Sequence, residues 1–283
     1  MVGSLATIQQ ALQGNLPTDI PVNFTTSGAF GNFGGGLAYT EPGSGAASVA
    51  AGLLLPGSGL PIVSYARAYG ASTGSPLAGF PSKLQGLDFL GAPAIADVSG
   101  DGQPDLLIGG DSSALHAYSA GSGAQVSGFP KFMTGWQVFG PSVGDINGDG
   151  RNEVAITTRE GYVMVWNTPG RASADQWGFL RHDEHNTGEY GVDTRSPGIA
   201  RNARIHSGRL RFKAPGDDWY DGKIDHYAVQ FVHKNGSVDT KTVNPSGSAG
   251  TGQTVNLEPN TKTVRVRGVD EAGNLASWTS VRR

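Results

Sequence analysis

The stretch Asp97-Val98-Ser99-Gly100-Asp101-Gly102-Gln103-Pro104-Asp105 decides how this chain is read, because it occurs twice. Its copy is Asp145-Ile146-Asn147-Gly148-Asp149-Gly150-Arg151-Asn152-Glu153. Both carry oxygen-bearing side chains at positions 1, 3, 5 and 9 and Gly at position 6. In a tightly curled loop alternate residues point inward, and Gly at 6 permits the sharp turn. The carbonyl of position 7, Gln103 or Arg151, can then face the same centre. Position 12 is Ile108 in one copy and Ile156 in the other, so the bidentate Glu of a helix–loop–helix calcium site is missing. Each Ile belongs to a short apolar run that reads as a strand.

These positions predict a metal site in each loop. The candidate ligands are Asp97, Ser99, Asp101, Gln103 and Asp105 in the first, and Asp145, Asn147, Asp149, Arg151 and Glu153 in the second. Three carboxylates crowd each loop. At an effective dielectric of 20, two like charges about 4 Å apart repel by about 4 kcal/mol, an upper-end value for a partly wet loop. A hard divalent cation removes that repulsion, and an all-oxygen ligand set favours Ca2+ over transition metals. Ser99 at position 3 makes the first loop the weaker expected site. A turn rich in Asp and Gly without any ion is the alternative for a single loop; two loops in register favour the metal.

Working outward, the repeat extends beyond the loops. The run from Phe89 to Gly109 (FLGAPAIADVSGDGQPDLLIG) resembles that from Phe139 to Thr157 (FGPSVGDINGDGRNEVAIT). Gly79-Phe80-Pro81 returns as Gly128-Phe129-Pro130, and the aromatics Tyr69, Tyr118 and Trp166 recur at nearly the same interval as the two loops. That interval, within the range of roughly 40–50 residues, suits a four-stranded propeller blade. Ala94–Ala96, Leu106–Ile108, Leu115–Tyr118, Val154–Ile156 and Tyr162–Trp166 are apolar runs bounded by Gly, Asp and Ser, as strands require. Ala46 to Ser75 reads as an earlier copy without an acidic loop, with strands at Val49–Leu55 and Ile62–Tyr69. Leu5, Ile8, Leu12 and Leu16 have helical spacing and predict one short N-terminal helix.

After Gly191 the character changes. Net charge is −8 up to Gly191 and +5 from Val192 onward. Ile224–Val232 alternates, as does Thr263–Arg267, where Val264 and Val266 are expected inside and Arg265 and Arg267 in water. About 90 residues of this kind fit a small β-sandwich. The fold class expected is therefore all-β: residues 1–191 a partial β-propeller of about three to four four-stranded blades, residues 192–283 a β-sandwich. Gly at 44 of 283 residues and charged residues at 16% argue against a coiled coil. The absence of Cys excludes disulfides and a thiol nucleophile. No apolar run is long enough for a membrane span, and no basic stripe suggests nucleic acid.

The paired loops, each preceded by Phe89-Leu-Gly-Ala-Pro93 or Phe139-Gly-Pro141, resemble FG-GAP repeats of the integrin-α type, which also occur in secreted bacterial proteins. The resemblance implies a propeller whose Ca2+ loops join adjacent strands of a blade. Gln176 to Gly188 looks like the tail that follows the last blade in such proteins. The region from Asp193 resembles a fibronectin type III domain, with Val269-Asp-Glu-Ala-Gly-Asn274 as its late hairpin, although Lys262 stands where the usual corner Tyr falls.

Other candidates carry less. His182 and His185, with Asp183 and Glu184, lack a third metal ligand fixed by sequence and read as structural. Asp217-Asp218 beside Trp219-Tyr220 offers a cation or a sugar a surface, but fits an exposed loop with packed aromatics better. Trp136, Trp166 and Trp177 offer a ligand a stacking surface, but suit packing between blades better. No Gly-x-Ser-x-Gly elbow, phosphate loop or dinucleotide fingerprint occurs. The expected function is thus a non-catalytic, Ca2+-binding extracellular adhesion module with a protein or glycan ligand. The N-terminus lacks the features of a signal peptide, so either the chain is not exported by that route or it is the C-terminal part of a larger secreted protein, which is the expectation. The alternative is a substrate-targeting region of a secreted peptidase or polysaccharide-active enzyme.

Overall fold

The computed structural model describes residues 28–33, 36–44, 63–85, 91–110, 112–172, 176–183 and 186–283. The helix expected at Leu5–Leu16, the strand expected at Val49–Leu55, and Phe89, Glu184 and His185 lie outside them. The described residues are all-β, without an α-helix. Their small antiparallel sheets do not close into a barrel.

Three sheets come from the repeat region. Strands β1 (Ala29–Asn32), β2 (Leu37–Ser44), β3 (Val63–Gly70) and β4 (Ser82–Gln85) form the first, in chain order. Strands β5 (Ala94–Ala96), β6 (Asp105–Gly109), β7 (Ala114–Ser119) and β8 (Lys131–Phe132) form the second. The third has β9 (Ser142–Gly144), β10 (Arg151–Thr157) and β11 (Val163–Arg171), with β10 in the middle. Among the described residues it has one strand fewer than the four expected of each blade.

The sequence of β6, Asp-Leu-Leu-Ile-Gly, is buried at every position. A strand covered on one face alternates; a continuous apolar run needs cover on both. Here Leu106 and Ile108 join a core with Ala29, Ala66, Ala68 and Leu84 of the first sheet. Leu107, pointing the other way, joins a core with Val143, Val154 and Ile156 of the third. The second sheet is thus packed between the other two. Its free edge along β5 is occupied by the tail after β11: Ile95 N–H donates to Trp177 O at 2.9 Å and Trp177 N–H to Ile95 O at 2.8 Å.

The period is visible in the backbone as well. Tyr69 bridges Pro76, and its counterpart Tyr118, one repeat further on, bridges Gln125. Leu77 N–H donates to Ala68 O and Val126 N–H to Ala117 O, both at 2.9 Å. Gly79 and Gly128, which open the two Gly-Phe-Pro copies, have φ of +77° and +81°. Residues 68–79 thus repeat the backbone of residues 117–128, without an acidic loop of their own.

The C-terminal residues form two sheets. One has the order β12 (Arg201–His206), β13 (Arg209–Lys213), β16 (Gly252–Asn256); the other has β15 (Val238–Val243), β14 (His226–His233), β17 (Thr261–Val269), β18 (Thr279–Arg282). Leu210 and Phe212 of β13 and Val255 of β16 meet Tyr227, Val229 and Phe231 of β14 and Val264 and Val266 of β17 in one core. This is a β-sandwich with alternating strands, each fully buried large apolar side chain contributing about 1.5–3 kcal/mol. Val264 and Val266 are inside and Arg265 outside, as expected. Arg267 departs from expectation: it is half-buried because its guanidinium lies 4.4 Å from the centroid of the Trp278 ring.

The chain groups into two compact units. One comprises Met1–Val143, Glu153–Gly170 and Ala174–Tyr190; the other comprises Gly144–Asn152, Arg171–Ser173 and Gly191–Arg283.

Candidate metal-binding loops

The first loop runs from the end of β5 to the start of β6, whose pairing sets Ala96 opposite Asp105. A hairpin connection carrying acids at both ends thereby brings Asp97 and Asp105 together. Asp97 is fully buried and Asp105 is 1% exposed. Asp97 Oδ1 accepts from Gly100 N–H at 2.7 Å and Oδ2 accepts from Gly102 N–H at 3.2 Å. Ser99 Oγ donates to Asp97 Oδ1 at 3.4 Å. Asp105 Oδ2 accepts from Val98 N–H at 3.0 Å and Ser99 N–H at 2.9 Å. Asp101 Oδ1 accepts from Gln103 N–H at 2.8 Å. Burial pushes the Asp105 carboxyl up to about 6, against the two backbone donors and with the help of the Asp97 charge.

The second loop repeats the pattern. Asp145 Oδ1 accepts from Gly148 N–H at 2.5 Å and Asp149 N–H at 3.0 Å, and Oδ2 accepts from Gly150 N–H at 2.9 Å. Asp149 Oδ1 accepts from Arg151 N–H at 2.9 Å. In both loops, then, the acid at position 1 holds the amides of positions 4 and 6, and the acid at position 5 holds that of position 7. Glu153, at position 9, is 2% exposed in β10. The side chains of Gln103, Asn147 and Arg151 are exposed.

The curl needs two glycines per loop. Gly100 and Gly102 have φ of +84° and +79°, and Gly148 and Gly150 have +76° and +86°. The sequence pattern identifies the glycine at position 6; the one at position 4 is equally left-handed. It is also crowded: a Cβ on Gly100 would lie 2.9 Å from Pro169 Cβ, and one on Gly148 would run into the Arg201 guanidinium and lie 2.9 Å from the Tyr220 ring.

The second loop has neighbours that no local pattern announces. Arg201 Nη1 donates to Gly148 O at 2.7 Å, with its guanidinium 3.5 Å from the centroid of the Tyr220 ring. Ala172 N–H donates to Gly150 O at 3.3 Å. Arg201, Tyr220 and Asp221 are distant in sequence, so only folding brings them to the loop.

The donor set is oxygen throughout. Two buried carboxylates meet in the first loop, and a carboxylate pushed upward by burial and a neighbouring charge is relieved by a cation. Oxygen-only donors are the kind that a hard divalent cation takes.

The remaining candidates fall elsewhere. His182 Nδ1 lies 3.1 Å from Asp183 Oδ2 and 3.4 Å from Thr187 Oγ1, and its ring meets Trp177 edge-on at 5.1 Å. Asp183 in turn accepts from Thr187 N–H and Oγ1 at 3.1 and 2.7 Å, closing a turn. Trp177 is a core residue, Trp166 packs against the second core, and Trp136 lies under Arg159 at 5.3 Å.

Asp217 and Asp218 lie among further acids. Burial raises Asp217 to about 7, aided by Glu271, Asp218 and Asp270, and raises Asp218 to about 6, opposed by Arg195. Asp193 is also pushed up by burial, with Asp270 and Glu271 adding to the effect.

Residues 88–156 match a family model described as an FG-GAP-like repeat, a span that includes both loops. No curated protein matches the chain. Among solved structures, the FN1-FN3 domains of chicken CNTN1 are similar over 78% of this chain and 76% of that chain, at 12% identity and a TM-score of 0.21.

Proposed function

We propose that this chain is a non-catalytic extracellular binding module whose repeat region is a partial β-propeller rigidified by Ca2+ in two loops. A protein or glycan is its ligand, and its domain changes near Gly191. The observation that carries this reading is the shared hydrogen-bond pattern of the two loops. In both, a carboxylate at position 1 gathers the amides of positions 4 and 6, so two segments one repeat apart take one conformation. The FG-GAP-like match over the same residues and the packing of one small sheet between two others support it.

Bound Ca2+ stabilises the folded state by mass action, by about 2.7 kcal/mol at a concentration one hundred times the Kd. Adding Ca2+ should therefore raise the melting temperature, and Asp101→Ala combined with Asp149→Ala should abolish the rise. A melting curve that is the same in Ca2+ and in chelator overturns the proposal.

A further inference from the structure

Three side chains from separate segments of the sandwich meet beside its edge strand β15. His233 ends β14, Asp239 lies in β15, and Glu258 stands in the turn between β16 and β17. The pairing of β14 with β15 sets Asp239 opposite Phe231, so these two side chains share a sheet face. The register of β14 with β17 shifts between Val232 and His233, an irregularity of the kind that re-aims a side chain. The turn that carries Glu258 is held by Thr261, which is fully buried and donates from Oγ1 to Glu258 O at 2.7 Å. Lys234 N–H donates to Asn260 O at 3.0 Å and ties the same turn to the end of β14.

The backbone fixes which ring nitrogen of His233 carries hydrogen. Nδ1 lies 3.0 Å from Pro259 O, and a carbonyl oxygen only accepts, so Nδ1 is the donor. In the neutral imidazole Nε2 then has a lone pair and no proton. That nitrogen faces two carboxylates, with Asp239 Oδ2 at 2.8 Å and Glu258 Oε2 at 3.6 Å. Three acceptors turned on one another need a cation among them. Lys241 is the neighbouring cation, but its ammonium pairs with the other Glu258 oxygen, Oε1. One ligand atom from each of the three residues lies within 4.8 Å of the other two. The His233 ring and the Glu258 carboxylate are 11% and 18% exposed, whereas Asp239 is 60% exposed and free to close on an ion from the solvent side. A ring N–H donated to a backbone carbonyl is also how metal-binding histidines are commonly oriented. One imidazole nitrogen with two carboxylate oxygens suits Zn2+, whereas Ca2+ takes oxygen alone.

We propose that His233 Nε2, Asp239 and Glu258 bind Zn2+, with the fourth position open to water. The ion pins the β14–β15 hairpin to the turn before β17. None of its ligands belongs to the repeat loops, and the Ca2+-dependent melting of those loops is a separate readout, so each site can fail alone. A proton on Nε2 is the competing cation: an imidazolium between the two carboxylates has the same geometry.

Zinc titration of the full-length chain in saturating Ca2+, followed by calorimetry and native mass spectrometry, tests this. His233→Gln and Asp239→Asn should each weaken zinc binding by about tenfold or more. Asp239 is largely exposed, so Asp239→Asn keeps the fold whatever His233→Gln does. His226 is the control: its Nδ1 lies 2.7 Å from Asp225 Oδ2, a simple His–Asp pair, and His226→Gln should leave zinc affinity unchanged. No zinc uptake, an affinity untouched by His233→Gln, or an equal loss on His226→Gln overturns the site. Nitrogen-15 resonances of the His233 ring supply a second readout. Zn2+ should shift Nε2 strongly while Nδ1 stays protonated. An Nε2 that keeps its proton in saturating Zn2+ assigns the geometry to the imidazolium and overturns the proposal.

Discussion

Arg201 donates from Nη1 to the carbonyl oxygen of Gly148 at 2.7 Å. The same guanidinium covers the Tyr220 ring, so one side chain both satisfies a loop carbonyl and stacks on an aromatic. A charge-assisted hydrogen bond contributes about 1.5–3 kcal/mol, and a cation–π contact about 0.5–2 kcal/mol. Arg201→Ala should therefore lower stability by about 2–3 kcal/mol in urea denaturation. Arg201→Lys should recover more than half of that, because an ammonium still reaches the carbonyl but lacks the plane that stacks.

The glycines should separate strain from crowding. Gly102 has φ +79° and open space where a Cβ would sit, so Gly102→Ala costs only the left-handed conformation, about 1–2 kcal/mol. Gly100→Ala and Gly148→Ala bear the same strain and also press on Pro169 and Tyr220. Both should destabilise more than Gly102→Ala when midpoints of chemical denaturation are compared. Equal losses at all three would show that the neighbours yield freely.

Asp105 gives the first loop a pH dependence of definite sign. Its carboxyl is raised to about 6 in the fold, so the folded state binds a proton more tightly than the unfolded chain does. The stability this contributes is fully present below the ordinary carboxylate value and is lost as pH rises through about 6. Asp217 and Asp218, raised to about 7 and about 6, act in the same direction. In chelator, denaturation midpoints should fall between about pH 4 and pH 7, and Asp105→Asn should remove part of that slope while still accepting from Val98 and Ser99. Saturating Ca2+ should flatten or reverse the slope, since the ion favours the carboxylate.

Tyr227 sits in the sandwich core at 1% exposure with a hydroxyl that has no hydrogen-bond partner. Its ring meets Phe212 edge-on at 4.9 Å, an interaction that a phenyl ring keeps. Tyr227→Phe should leave stability unchanged or raise it by about 1 kcal/mol, because a buried polar group without a partner is lost. Phe231→Ala, which empties the same core, should cost about 3–5 kcal/mol. Thermal unfolding of the two variants side by side checks the contrast.

Much of this was legible in the residues because the signals were local. The run Leu106-Leu107-Ile108 announced a buried strand, and Val264 and Val266 announced the inner face of β17 through period-two alternation. Aspartates and glycines at fixed offsets announced the two curls, and Tyr69 and Tyr118 announced the repeat. What stayed hidden was long-range. Nothing near Gly148 indicates Arg201, and nothing near Asp217 indicates Asp270 and Glu271, because these partners meet only through strand order. The left-handed glycine at position 4 was in plain sight in both copies, yet its need depends on Pro169 and Tyr220, which the loop sequence does not contain. Arg267 looked like a solvent-facing residue by alternation, and Trp278 drew it onto the protein surface.

The clamp on Gly148 also sets an order of events during synthesis. Arg201 follows Gly148 by 53 residues, so the loop leaves the ribosome well before the side chain that caps it exists. At roughly 5–20 residues per second the delay is about 3–10 s. Throughout that interval the guanidinium is missing from the loop carbonyl, and the curl is held without it.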